Sequence, residues 1–305
     1  MLRLRPGAER RASRGWDPRP RRTRQGDGGS NQEDRAVTVR DWLTQAADRL
    51  SASGVASPRL EAQVLMAHCL HVDRDRLLLL DEQDAPHDAD VLLKRRLAGE
   101  PLAYILGWKE FYRRRFEVNP SVLIPRPETE TLVEAVIELA PPEALCVDVG
   151  TGSGCIGVTC ALERSDTRWI LTDVSREALH VAQRNACHHA VACWFLQADL
   201  LSGFQPKSVD VIACNPPYVA EADPRLDPSV RKFEPAVALF AGETGLEHLS
   251  RLAVQAAEVL KSGGWLLMEV GEGQTAHVLS LCEKARACIV RKDLAGIERV
   301  VIAAY

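Results

Sequence analysis

The chain has 305 residues, 46% hydrophobic and 26% charged, enough for two compact domains with a buried core, and a formal net charge of −4. No apolar run approaches the ~18 residues that a membrane-spanning helix needs. Ten arginines and five acidic residues fall in residues 1–36, leaving a remainder of net charge −9, which argues against a large nucleic-acid footprint.

Residues 1–36 are Arg-rich, with Gly and Pro throughout and no apolar periodicity, and are expected to be disordered. Such an arm suits a nonfunctional extension, an organelle-targeting presequence or a nucleic-acid arm. The nine cysteines are odd in number, and Cys146, Cys155, Cys160 and Cys214 sit inside apolar runs with no C-x-x-C pair. They read as reduced packing residues of an intracellular protein, with no metal site expected.

From Thr38 the spacing becomes helical. VRDWLTQAADRL places Val39, Trp42, Leu43, Ala46, Ala47 and Leu50 on one face, and Gly54 ends the helix. SPRLEAQVLMAHCL predicts a second helix, with Ser57 as N-cap and Pro58 in the first turn. Short helical segments continue to about Leu97, so residues 37–100 are expected to form a small all-helical domain for packing or docking.

Residues 101–127 read as a linker. Within 107–124, GWKEFYRRRFEVNPSVLI alternates apolar and charged residues as a solvent-facing hairpin does. Pro125 and Pro127 then set up a helix whose first turn carries Glu128 and Glu130, where the helix dipole favours negative charge.

Residues 128–305 read as an α/β domain. The β-rich runs LCVDVG, RWILTD, ACWFLQ, VDVIAC and GWLLMEV alternate with helical segments, which predicts a parallel sheet covered by helices on both faces. ACIVRKDL and RVVIAAY are separated only by a turn at Ala295-Gly296, predicting a closing antiparallel hairpin.

The chemistry gathers at strand ends. VDVGTGSGCIG is a Gly-rich turn opening a helix, whose free N–H groups and close backbone approach suit a polar cofactor. Asp173 ends the second strand, placed to bond ribose hydroxyls. Both features also fit a dinucleotide fold, and Gly152 to Gly157 matches G-x-G-x-x-G, so a hydride-transferring dehydrogenase remains open. Three details favour S-adenosylmethionine. Asp148 beside the Gly turn would repel a pyrophosphate but suits an ammonium group; Asp199 is positioned to accept from an adenine amine; and the fourth strand ends on Asn215-Pro216-Pro217-Tyr218.

NPPY arises by chance in on the order of one in a thousand chains of this length. Its chemistry suits a planar NH₂ group, whose delocalised lone pair makes it a poor nucleophile that must be held in line with the methyl group. Asn215 offers a side-chain oxygen for one N–H and Pro216 a carbonyl for the other. The prolines fix the backbone that aims them, and Tyr218 offers a flat face. These residues leave glutamine amides and adenine-N6 amines of nucleic acid equally open, and a cofactor-binding module without turnover remains the non-enzyme reading.

Across residues 38–305 the sequence resembles the protein-(glutamine-N5) methyltransferases that modify peptide chain release factors. The resemblance rests on PLAYILGWKEFY at 101–112, VLIPRPETETLVE at 122–134, DVGTGSG at 148–154, NPPY at 215–218, KFEP at 232–235 and ERVVIAAY at the end. It implies a helical N-terminal domain that docks the release factor, and a Rossmann-like class I methyltransferase domain. It further implies that Gly150, Thr151, Gly152, Ser153, Gly154, Asp173, Asp199 and Leu200 hold S-adenosylmethionine, while Asn215, Pro216, Pro217 and Tyr218 hold the substrate glutamine of a Gly-Gly-Gln motif. Sister enzymes that methylate a ribosomal protein share NPPY; the PRPETE form of the linker favours the release factor. A cytoplasmic monomer is expected, without direct nucleic-acid or membrane binding. A mitochondrial location is the alternative if the arm is a presequence.

Overall fold

The computed structural model describes residues 37–305, and the Arg-rich arm lies outside the described residues. Helix α1 (Val39–Ala52) begins where the Thr38 hydroxyl accepts the Asp41 N–H at 3.2 Å. It buries Val39, Trp42, Ala46, Ala47 and Leu50, while Leu43 stays half-buried. Helix α2 (Pro58–Leu70) starts at the expected proline, but Ser57 makes no capping bond, so the preset φ of Pro58 carries that start. A 3₁₀ turn (Arg74–Leu79), α3 (His87–Leu97) and α4 (Leu102–Leu106) follow, sharing a core that includes Trp42, Leu50, Leu65, Met66 and Leu93.

Strands β1 (Trp108–Phe111) and β2 (Arg114–Glu117) pair antiparallel through a two-residue turn, Tyr112 and Arg113, with φ +48° and +60°. The ribbon is not solvent-facing as a whole. Phe111 and Phe116 are 1% and 0% exposed and pack with Leu132, Val136 and Trp169. The alternation in the sequence therefore marks one wet face and one face laid on the core of the larger sheet. A 3₁₀ turn (Pro127–Thr129) leads into α5 (Glu130–Leu139), and the Glu130 carboxylate accepts the Tyr112 N–H at 2.8 Å, tying this helix to the hairpin turn.

From here strands and helices alternate: β3 (Leu145–Val149), α6 (Cys155–Glu163), β4 (Arg168–Asp173), α7 (Arg176–His188), β5 (Trp194–Gln197), β6 (Val209–Cys214), α8 (Pro228–Phe233), α9 (Ala236–Leu239), α10 (Glu247–Val259), β7 (Leu260–Glu269), α11 (Thr275–Leu281), β8 (Ala287–Lys292) and β9 (Glu298–Ala304). The seven-stranded sheet has the order β5-β4-β3-β6-β7-β9-β8. Its first five strands are parallel, and β9 runs antiparallel between β7 and β8. The closing hairpin is thus present, with its second strand, not its first, against the parallel sheet.

Apolar residues on both faces of the parallel strands make two cores. Trp169, Leu171, Val211 and Leu267 pack against α5, α6 and α7 on one side. Val147, Ile212, Leu266 and Met268 pack against α10 and α11 on the other. The chain builds outward from β3 to β5, then returns to place β6 beside β3. The connections therefore diverge above these two strands and open a crevice at their carboxyl ends. Among the described residues, no helix is long and apolar enough to cross a membrane.

Asn185 of α7, only 1% exposed, joins three parts of this framework. Its Oδ1 accepts the Glu117 N–H at 2.7 Å, and its Nδ2 donates to the carbonyls of Glu117 at 3.0 Å and Ser153 at 2.8 Å. Replacing it with alanine leaves those backbone groups unpaired, at about 1–3 kcal/mol. Asn185→Ala is therefore expected to lower the urea unfolding midpoint; an unchanged midpoint would show that the hairpin and the Gly turn do not depend on it.

Candidate active site

The turn from Gly150 to Gly154 follows β3 directly, and all three of its glycines have positive φ, +67°, +54° and +81°. It is pinned to the next strand by the Thr151 N–H on the Thr172 carbonyl at 2.8 Å, and by the Gly152 N–H on Asp173 Oδ2 at 2.9 Å. A Cβ at Gly150 or Gly152 would meet no atom within 4 Å. This backbone thus faces open space on the cavity side.

That cavity is lined by Gly150, Thr151, Gly152 and Ser153, by Asp173 and Val174 after β4, by Asp199 and Leu200 after β5, and by Asn215 and Pro217 after β6. Asp173 accepts the Ser175 N–H as well as that of Gly152, and burial raises its pKa against those bonds. Asp199 pairs with Arg251 of α10. Leu200 takes φ +52°, which presents it to the cavity from a left-handed backbone.

Asp148 stands elsewhere than expected. It is fully buried and does not line the cavity; its Oδ2 accepts the Thr151 hydroxyl at 2.6 Å and the Gly157 N–H at 2.9 Å from behind the turn. Burial lifts its pKa to about 6 against those two bonds. The carboxylate is a strut that binds the Gly turn to the start of α6. Gly154 also lies off the wall, packed against Ala182, where an added Cβ would come within 3.1 Å.

A second cavity adjoins the first. Asn215, Pro216, Pro217 and Tyr218 line it, and Asn215, Pro217, Leu123, Arg126 and Ala238 face both cavities. Asn215 and Pro217 thus form part of a wall common to both cavities, while Pro216 and Tyr218 line the second alone. Among the described residues, no hydrogen bond reaches the Asn215 Oδ1 or the Pro216 carbonyl, while Asn215 Nδ2 donates to Thr129 Oγ1 at 3.1 Å. Both acceptors that a planar NH₂ group requires are available.

The backbone after NPPY is held tightly. Gln274 Nε2 donates to the Tyr218 carbonyl at 3.0 Å, and its Oε1 accepts the Gly271 N–H at 2.9 Å. The Val219 N–H donates to the Leu239 carbonyl at 3.1 Å, fixing α9 to the loop, so that Ala238 becomes part of the shared wall. Arg126 is paired at 2.6 Å with Glu234, a buried carboxylate that also accepts the Ile124 N–H.

Thr129, Arg126, Glu234 and Glu269 were not among the expected site residues. The first three lie within the PRPETE and KFEP segments, whose spacing carries no chemistry of its own. Glu269 ends β7, and the strand-end rule that selected Asp148, Asp173 and Asn215 would have found it.

Residues 41–107 match the PrmC N-terminal domain, and residues 127–292 match the methyltransferase small domain. A release factor glutamine methyltransferase of Koribacter versatilis is 43% identical over 274 residues, 87% of this chain and 98% of that protein. The protein of the same name from Escherichia coli is 37% identical over 277 residues, again 87% and 98%. The solved hMettl16 catalytic domain, in complex with an RNA hairpin of the MAT2A 3'UTR, is similar at a TM-score of 0.50 and 16% identity. That match covers 70% of this chain and 80% of that one and speaks to the fold alone.

Gly245 tests how tightly the NPPY backbone is seated. It has φ +78°, and an added Cβ would stand 2.5 Å from the Tyr218 carbonyl oxygen. Gly245→Ala is expected to cost about 1–3 kcal/mol in strain and displaced backbone, read as a lowered melting temperature. An unchanged melting temperature would show that this loop yields freely.

Proposed function

The chain belongs to the release factor glutamine methyltransferase family, and from that membership we propose that it methylates the side-chain nitrogen, N5, of the glutamine in a release factor's Gly-Gly-Gln motif, using S-adenosylmethionine. The observation that carries the reading is the wall shared by two cavities, in which Asn215 and Pro217 face both.

The first cavity fits the cofactor by the chemistry of its lining. It holds two carboxylates, Asp173 and an Asp199 already paired with Arg251, and a guanidinium, Arg126, already paired with Glu234. With both of those charges matched, Asp173 is the carboxylate that remains, which suits the hydroxyls of a nucleoside and a cationic sulfonium, while the lining's guanidinium is not free for a pyrophosphate. In this reading Asp173 accepts from ribose hydroxyls, and the lining residues Val174 and Leu200 offer apolar surface to a base. The open backbone of Gly150 and Gly152 leaves room for the methionine moiety, with Asp148 supporting the turn from behind. When bound, S-adenosylmethionine supplies an electrophilic methyl group on a positively charged sulfur.

In the second cavity the Asn215 Oδ1 accepts one N–H of the glutamine amide and the Pro216 carbonyl accepts the other. Two fixed acceptors hold the nitrogen in one orientation at the shared wall and favour the geometry in which its lone pair is released from the amide. Tyr218 packs beside the planar group. As the new N–C bond forms, the nitrogen becomes acidic enough to lose its proton without a dedicated Asp or His base. The helical region, 37–100, is then free to dock the body of the release factor.

The direct test incubates the protein with methyl-labelled cofactor and, in parallel reactions, a release factor, ribosomal protein, DNA or RNA, and maps the label by mass spectrometry. Label on the Gly-Gly-Gln peptide is expected; label on a ribosomal protein, DNA or RNA in its place would overturn the substrate assignment. Asn215→Ala is expected to lower kcat by about 100-fold while the cofactor Kd changes by less than about 3-fold. Unchanged turnover would refute the orienting role of Asn215.

A further inference from the structure

Where β4 and β5 end, the first cavity is lined by Val174 and Leu200, aliphatic side chains with no flat face. Among the described residues that line it, none is Phe, Tyr or Trp, and His248 brings the one aromatic ring. His248 lies in the first turn of α10, far from any strand end.

Contacts one turn apart seat α10 along this edge of the cavity. Gly245, just ahead of the helix, lies against the Tyr218 carbonyl, so closely that an added Cβ would stand 2.5 Å from its oxygen. Farther along, Arg251 pairs with Asp199, and Gln255 Oε1 accepts the Leu201 N–H at 2.9 Å. Residues 248, 251 and 255 are three and four apart and therefore share one face of the helix. That face is laid along the turn from Asp199 to Leu201. His248, one turn before Arg251, continues it past Asp199 to the cavity wall.

The rotation of α10 is not free. Leu249, Leu252 and Ala256 are buried in the same core as Leu201, which holds His248 half-buried at the wall. Among the described residues, no other ring stacks on its imidazole.

Of the parts of S-adenosylmethionine, only the adenine is an extended planar group; the sulfonium and the amino-acid end present no π face. A base stacks on an aromatic side chain whatever groups its edge carries, and the ring fixes the plane in which the base lies. Resting on the reading of this cavity as the cofactor site, we propose that His248 is a cofactor-binding residue whose imidazole covers the adenine base. Val174 and Leu200 then supply burial, and His248 supplies the orientation of the base.

Calorimetry with two ligands tests this. S-Adenosylhomocysteine has base, ribose and amino-acid part, whereas 5′-methylthioadenosine has the base and ribose alone. In His248→Ala and His248→Leu both Kd values are expected to rise about 10-fold, by the same factor for the two ligands. His248→Phe, which keeps a flat ring, should stay within about 3-fold of the parent. A second readout needs no change in affinity. The His248 ring-proton signals of the parent, assigned by their loss in His248→Phe, should move upfield when 5′-methylthioadenosine is added, because a stacked purine shields protons above its face. Parental affinity in His248→Ala or His248→Leu, a loss confined to S-adenosylhomocysteine, or ring signals that 5′-methylthioadenosine leaves in place would overturn the proposal. A parent that binds neither ligand would overturn the cofactor reading and this proposal with it. Kd changes and signal shifts as expected, with no label on any acceptor, would sink methyl transfer and leave the role of His248 standing.

Discussion

Two rungs of the parallel sheet, Val149 opposite Cys214 and Cys214 opposite Met268, decide where the chemistry sits. With Val149 also opposite Thr172, the residues that follow, Gly150, Asp173, Asn215 and Glu269, stand in one row across four strands. Strand pairing has a period of two, so a slip of one residue would turn Asp148 to the opposite core, away from α6, and take the Gly turn out of this row. The apolar fillings of both sheet faces fix that register, because Val147, Ile212 and Leu266 belong to one core and Val211, Leu267 and Trp169 to the other. The active-site geometry is in this sense a consequence of core packing.

Two buried acids near these strand ends, Asp148 and Glu269, do different work. Asp148 faces inward, where its bonds to Thr151 and Gly157 shape the turn, and its remaining oxygen has no partner. Glu269 faces Tyr218, whose hydroxyl its Oε1 accepts at 3.4 Å, and its Oε2 is left without a partner. Burying a carboxylate is costly unless it is hydrogen-bonded, and both pKa values rise accordingly, to about 6 and about 7.

Much of this was legible in the chain. The strands RWILTD and VDVIAC occur with the ends their patterns suggest, because alternation with helices and abrupt stops at Asp and Asn-Pro mark buried parallel strands. That Asp173, Asp199 and Asn215 line one cavity was legible for the same reason, since the connections at strand ends of an open α/β sheet bound its crevice. What the sequence did not carry is direction in three dimensions. The hairpin's alternation shows two faces but not that Phe111 and Phe116 lie on the core. Asp148 was legible as an acid beside the Gly turn, but its inward orientation depends on α6 folding back over it. Thr129 and Asn215 are 86 residues apart in the chain, and their hydrogen bond exists only because the PRPETE turn is laid across the end of β6.

The central claim is that the two cavities meet at Asn215 and Pro217, and that a planar amide is held there by Asn215 and Pro216. A crystal structure of the protein with S-adenosylhomocysteine and a Gly-Gly-Gln peptide tests it most directly. The account predicts the glutamine nitrogen within hydrogen-bond distance of both the Asn215 Oδ1 and the Pro216 carbonyl, facing the cofactor sulfur across the shared wall. A glutamine side chain bound elsewhere, or an Asn215 amide turned with Nδ2 toward the substrate, would contradict it.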